Sequence, residues 1–353
     1  MSMHKPRILL IYTGGTIGMV KNFETGALKV FNFKKLLLRI PELRQLDCDI
    51  ETTSFETPID SSDMNPDKWD KMARIVADNY NDFDGFVILH GSDTMSYSAS
   101  ALSFMLHGLQ KPVVFTGSQL PIGDLRTDAK ENLITAIQVA SLQENGKPIL
   151  REVCLYFEYK LYRGNRTTKI SAEHFNAFTS PNYPALAESG VHLRVNREQL
   201  IQQTETTFSL HSGFNGNVAI VKMFPGITAP VLQAITAIDG LKGIVLETYG
   251  SGNAPSGEWF IGILQKAIEK GVHVVNVTQC SGGRVNMGQY ETSTLLKEIG
   301  VISGADITTE AAITKMMYLL GQDLPHSHFK SLFETPMCGE LTPVSYTHLR
   351  AHE

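Results

Sequence analysis

The sequence predicts an α/β protein with a larger N-terminal three-layer α/β domain, built on a mainly parallel sheet, and a smaller C-terminal α/β domain. Three observations carry this expectation. Short apolar or β-branched runs alternate with longer helical patterns along most of the 353 residues. Many of the short runs are apolar almost throughout, as strands covered on both faces must be. The chain is also long enough for two cores, at roughly 100–200 residues per domain.

Taken in order, residues 7–12, 49–54, 85–90, 112–116 and 152–157 read as strands of the first domain. Residues 217–223, 243–248 and 271–278 read as strands of the second. Between them, Asn65-Pro66 supplies an N-cap followed by proline at the first helical position, opening a helix over 67–79. The run 95–107 follows a strand directly and has helical spacing, as do 229–238 and 308–320. The stretch 191–212 is rich in Gln, Thr, Arg and Glu and lacks an apolar period. It reads as a linker, which puts the domains at 4–190 and 213–343. Residues 344–353 are polar and aperiodic and read as a non-native tail.

Composition narrows the function. A net charge of −5 argues against nucleic acid or an anionic membrane as the main partner. No apolar run approaches the roughly 18–20 residues that span a bilayer. The five apolar residues after His4-Lys5-Pro6-Arg7 are too few for a signal-peptide core. Cys48, Cys154, Cys280 and Cys338 are scattered, with no C-x-x-C pair and no histidine cluster at ligand spacing. A soluble, cytoplasmic two-domain protein with reduced thiols and no obvious metal is expected.

In a parallel α/β sheet, ligands bind beyond the carboxyl ends of the strands, so the loops that follow strands come first. The first is Thr13-Gly14-Gly15-Thr16-Ile17-Gly18, where paired glycines allow a tight turn and close approach and the threonines add hydroxyls. It is not a dinucleotide fingerprint, because Thr13 stands where the first glycine belongs. The second is Asp60-Ser61-Ser62-Asp63, whose turn can offer NH groups to a carboxylate. The third is His90-Gly91-Ser92-Asp93-Thr94. There Asp93 either caps the following helix or binds a substrate ammonium, and Ser92 is a candidate for proton transfer. Together the three loops suggest a polar pocket for a small zwitterion. A fourth piece, Arg163-Gly164-Asn165-Arg166-Thr167-Thr168-Lys169, ends in a lysine. Most lysines are solvated surface charges, but one buried beside Ser92 would have a lowered pKa and could activate its hydroxyl.

The four motifs, in this order and at these separations, resemble the bacterial-type L-asparaginases, specifically the cytoplasmic type I branch. The resemblance runs from residue 7 to about 343. It implies hydrolysis of L-asparagine to L-aspartate and ammonia without a cofactor. It also implies a homodimer or homotetramer whose active sites are shared between subunits. Carried over residue by residue, Thr16 matches the nucleophile, Ser61 and Ser62 (with Asp60 beside them) the substrate-holding loop, and Asp93 the anchor of the substrate ammonium. Lys169 matches the base that serves a second hydroxyl. Asn253 matches a polar residue offered by the partner subunit.

The chain departs from the family pattern in three places. The second hydroxyl is usually a threonine and here is Ser92, which lacks the methyl that stiffens χ1. The loop tyrosine that assists the nucleophile is missing from Asn22-Phe23-Glu24-Thr25-Gly26-Ala27, which leaves Tyr290 as a substitute. Some type I members bind asparagine at an allosteric site through an arginine, with help from a Thr-x-Cys turn. Here Thr278-Gln279-Cys280 is present, but Glu247 stands in the arginine's place. The resemblance leaves rivals: a glutaminase-asparaginase, a tRNA-amidotransferase-type amidase subunit, or a non-catalytic amino-acid sensor on the same fold.

Overall fold

Strand β1 (Arg7–Gly14) is buried along nearly its whole length, and the alternation of its side chains shows why. Ile8, Leu10 and Tyr12 share one core cluster with Leu133, Ala136, Ile137 and Ala140. Leu9 and Ile11, which a strand directs to the opposite face, are buried as well. A strand covered on both sides has no polar face to display, hence its unbroken apolar run. The computed structural model describes residues 5–21, 28–30, 40–202, 207–289 and 291–343. The polar tail at 344–353 and the loop at 22–27 lie outside them.

The chain divides into two compact units, Met1–Ser212 and Gly213–Glu353. In the first, β1 is joined by β2 (Asp49–Ile59), β3 (Gly85–Leu89), β4 (Val113–Thr116) and β5 (Val153–Phe157), all parallel. Three antiparallel strands then extend one edge: β6 (Lys160–Arg163), β7 (Ala187–Ser189) and β8 (Leu193–Val195). The order across the sheet is β8-β7-β6-β5-β4-β3-β1-β2. Its parallel part therefore runs 2-1-3-4-5, a doubly wound order that reverses direction between β1 and β3.

Helix α1 (Pro66–Asp78) begins as its sequence dictates, with the Asn65 side chain accepting from the Lys68 amide. It packs against α2 (Met95–Met105), which is buried on almost every side. A third helix, α3 (Ala129–Ala140), lies against β3, β4 and β5. The stretch 191–212, expected as a linker for want of an apolar period, carries structure. It holds β8 and a two-residue ladder in which Ser209 and Leu210 pair with His107 and Leu106. Short edge pairings are made by backbone groups, so polar composition hides them.

The second unit carries a parallel sheet in simple order: β9 (Val218–Lys222), β10 (Gly243–Thr248), β11 (His273–Thr278) and β12 (Ile302–Ser303). Its helices are α4 (Ala229–Thr236), α5 (Glu258–Glu269), α6 (Glu291–Glu298), α7 (Thr309–Gly321) and α8 (Phe329–Glu334). Inside this unit Lys315 and Glu340 form an ion pair at 2.5 Å with both side chains fully buried. Lys315 also donates to the carbonyls of Phe333 and Thr335, while Glu340 accepts from the amides of Met337 and Cys338. Every donor of the ammonium thus has an acceptor, which is the condition for tolerating a buried pair. Desolvation pushes the Glu340 carboxyl upward, but the adjacent ammonium and the two amides outweigh it and hold it below its ordinary value. Among the described residues no helix is long and apolar enough to cross a membrane.

Candidate active site

The order reversal between β1 and β3 opens a crevice at the carboxyl ends of those strands, and the first and third sequence motifs lie there. Two glycines allow the loops to touch. A Cβ on Gly15, whose φ is 85°, would sit 2.6 Å from the backbone of Gly91. One on Gly91 would sit 2.5 Å from the hydroxyl of Ser61. No side chain fits at either position, so the loop bearing Thr16 packs backbone to backbone on the loop bearing Ser92, and the Ser61 side chain seats against the Gly91 backbone. Two hydroxyls lock the arrangement: Thr13 donates to the Leu89 carbonyl at 2.9 Å, and Thr94 to the Ser61 carbonyl at 2.8 Å. Thr16 opens a 3-10 turn (Thr16–Gly18) and is half-buried.

Asp60 has a local task. One of its carboxylate oxygens accepts from both the amide and the hydroxyl of Ser62, each at 2.9 Å. Those two bonds hold the Asp60 carboxyl below its ordinary value. The Ser62 amide is thereby taken up in the turn, while Ser61 is buried against Gly91.

Asp93 does not cap α2; the N-cap position is Thr94, and no side chain bonds to the helix start. Its carboxylate instead meets Lys169, with Nζ 2.6 Å from Asp93 Oδ1 and 2.8 Å from Ser92 Oγ. The lysine side chain is 18% exposed and the aspartate 65% exposed, so the pair lies at the surface of the crevice with the carboxylate outward. Lys169 arrives there on a well-anchored segment. Arg163 Nε donates to Glu152 at 2.6 Å in a pair whose side chains are at most 5% exposed. Four residues on, the Thr167 hydroxyl donates to the Gly164 carbonyl at 2.8 Å and lies 2.9 Å from the Ser96 hydroxyl of α2. Lys169 itself pairs with Phe178 in a short antiparallel ladder.

Sequence reasoning missed the fourth strand-end loop, which follows β4. Gln119 lies there, with its side-chain oxygen 3.3 Å from Ser92 Oγ and its side-chain nitrogen 3.0 Å from the His174 carbonyl. The strand-end rule that selected the other loops selects this one too.

His90 is fully buried at the end of β3, with Nδ1 2.7 Å from the Gly91 carbonyl and Nε2 unpartnered among the described residues. Burial pushes its pKa down to about 4, against the opposing effect of the Gly91 bond. A histidine with a depressed value folds in its neutral form. Its contribution to stability is therefore complete above about pH 6.5 and is lost as the pH falls from there toward about 4. The shift is worth on the order of 3 kcal/mol. The urea midpoint should thus fall between about pH 7.5 and about pH 4.5, and fall less in His90→Leu. Equal falls in the two proteins would show that His90 does not carry the effect.

Asn253 belongs to the second unit, in a tight turn after β10 where its backbone pairs with Tyr249. Tyr290 lies outside the described residues. Glu247, near the end of β10, accepts from the Thr309 hydroxyl at 2.7 Å and lies 3.6 Å from the Lys222 ammonium. Its carboxylate is therefore internally partnered. The Thr278 hydroxyl donates to the Gly250 carbonyl and accepts from the Cys280 amide. Among the described residues no group of three or more His, Cys, Asp or Glu side chains is placed to hold a metal ion.

Known proteins resemble the chain along nearly its whole length. The family model for the asparaginase N-terminal domain matches residues 7–201, and that for the glutaminase/asparaginase C-terminal domain matches 217–333. L-asparaginase 1 of Escherichia coli K12 is 44% identical, over 97% of this chain and 99% of the relative. The crystal structure of L-asparaginase I from Vibrio cholerae superposes with a TM-score of 0.88 at 40% identity, covering 96% of this chain and 100% of that one. The thermostable L-asparaginase from Thermococcus kodakarensis gives 0.84 at 32% identity, covering 95% and 99%.

Proposed function

Since this chain belongs to the asparaginase family, we propose that it hydrolyses L-asparagine to L-aspartate and ammonia through an acyl-enzyme on Thr16. The observation that carries the reading is the placement of Lys169 against both Ser92 and Asp93, beside the contact of Gly15 with Gly91. Asp93, outward-facing and anionic, receives the α-ammonium of the substrate. The Thr16 hydroxyl attacks the side-chain amide carbon, and ammonia leaves. Backbone NH groups of the converging loops stabilise the tetrahedral oxyanion. Water activated beside Ser92 and Lys169 then releases aspartate. The chemistry is acyl transfer and calls on no organic cofactor.

The enzyme works in the cytoplasm as a homodimer or homotetramer, with Asn253 of one subunit completing the site of another. Ile220, Phe224, Val231 and Ile238 support association. They are between 42% and 53% exposed, around the first strand and first helix of the second unit. Apolar side chains exposed to this degree suit burial against a second copy.

Ammonia release from the purified protein tests the assignment. One methylene in a pocket is worth only ~1–3 kcal/mol, or about 10–200-fold, so glutamine should be a detectable but poor substrate. Equal kcat/KM for the two amides would make the protein a glutaminase-asparaginase instead.

Velocity should also follow a hyperbola in asparagine. An effector carboxylate at the second-unit site would meet Glu247, whose oxygens already have Thr309 and Lys222 as partners. A Hill coefficient clearly above one, retained in Glu247→Ala, would contradict this.

A further inference from the structure

We infer that Gln119 is a positioning residue for Ser92, fixing both the rotamer of its side chain and the direction of its hydroxyl proton. The inference rests on the proposed amidohydrolase site and adds a residue to it. A backbone carbonyl only accepts, so the Gln119 nitrogen, and not its oxygen, must face His174 at 3.0 Å. The amide oxygen is then turned toward Ser92, 3.3 Å away, and an amide oxygen also only accepts. Ser92 must therefore donate to Gln119. This leaves the lone pairs of its oxygen facing Lys169 Nζ at 2.8 Å, which donates to them. In the resting enzyme the Ser92 proton thus points away from the lysine.

Serine needs such a device. Its χ1 has three staggered wells and no second heavy atom on Cβ to choose between them. Gln119 is itself held without help from its side chain. Its amide donates to both carboxylate oxygens of Asp128, at 3.2 and 3.0 Å, and the Leu120 amide adds a third bond at 3.1 Å. Asp128 is buried and accepts in turn from Asn132, which donates to the Gly117 carbonyl as well. Changing the glutamine side chain therefore leaves the loop anchored.

The test is a double-variant cycle read in two ways. Gln119→Met keeps the length of the side chain and removes both polar atoms. It should lower kcat about tenfold with KM nearly unchanged, the scale of one lost hydrogen bond at a working group. Introduced into Ser92→Thr, where the added methyl restricts χ1, the same change should cost no more than about twofold. Equal losses in the two backgrounds, or a rise in KM alone, would overturn the inference.

The second readout does not depend on turnover, so it separates a failure of this inference from a failure of the assigned reaction. A high-resolution crystal structure of Gln119→Met should show Ser92 Oγ in more than one rotamer, and a single rotamer would refute the role. If the methionine variant does not fold, Gln119→Glu retains the acceptor and should keep Ser92 in one rotamer, whereas a split rotamer there would equally refute it.

Discussion

Thr16→Ala is expected to reduce asparagine turnover by at least ~10³-fold while leaving the fold intact, as removal of a nucleophile does when binding residues survive. The substitution deletes a hydroxyl and a methyl from a half-buried side chain. The turn itself does not depend on them. It is held by the Gly18 amide on the Gly15 carbonyl, by the Thr13 hydroxyl on the Leu89 carbonyl, and by the close packing of Gly15 on Gly91. The thermal midpoint should therefore stay within a few degrees of the parent, and asparagine should still bind weakly at Asp93. A loss of only a few-fold in kcat would remove Thr16 from the role of nucleophile.

Lys169→Met should cost at least ~10²-fold in kcat, the scale of a positioned proton-transfer group. Two contacts disappear together: the donor to Ser92 at 2.8 Å and the ion-pair partner of Asp93 at 2.6 Å. The fold should tolerate the change because the Asp93 carboxylate left behind is 65% exposed and water can solvate it. Removing one partner of a buried pair such as Lys315 and Glu340 would be different, since that leaves an uncompensated charge in the core. Near-normal rates at neutral pH would mean that Lys169 serves only to hold Asp93.

Much of this site is legible in the sequence because the signals are local. Paired glycines after an apolar strand, and Ser-Asp between a strand and a helix, are unusual enough to mark loops. The doubly wound order then explains why loops far apart in the chain converge. Tertiary partnerships are less visible. Asp128 stands at the N-cap position of α3 yet makes no capping bond, because its carboxylate is taken by the amides of Gln119 and Leu120. A reader of the sequence would assign it to the helix. Asp60 likewise reads as a candidate for substrate contact, and the sequence alone does not show that one of its carboxylate oxygens closes its own turn. The antiparallel strands β6 to β8 are short and partly polar, and backbone pairing holds them with little apolar periodicity to betray them.

Lysine placement shows the same limit. Lys169 and Lys315 look alike in the sequence, but one reaches Ser92 at the crevice and the other is fully buried against Glu340. Only the fold separates a catalytic candidate from a structural ion pair. Glu247 is a related case. Its charge alone suggests repulsion of an effector, and the contacts with Thr309 and Lys222 show a carboxylate with partners of its own.

The most direct test of the account is to identify which hydroxyl carries the acyl group. Lys169→Met enzyme mixed with excess asparagine, quenched in acid during turnover and digested, should yield a β-aspartyl ester on the peptide containing Thr16. Mass spectrometry should find the adduct there, absent from the Thr16→Ala protein and absent when asparagine is omitted. An adduct on the peptide containing Ser92, with Thr16 unmodified, would contradict the account.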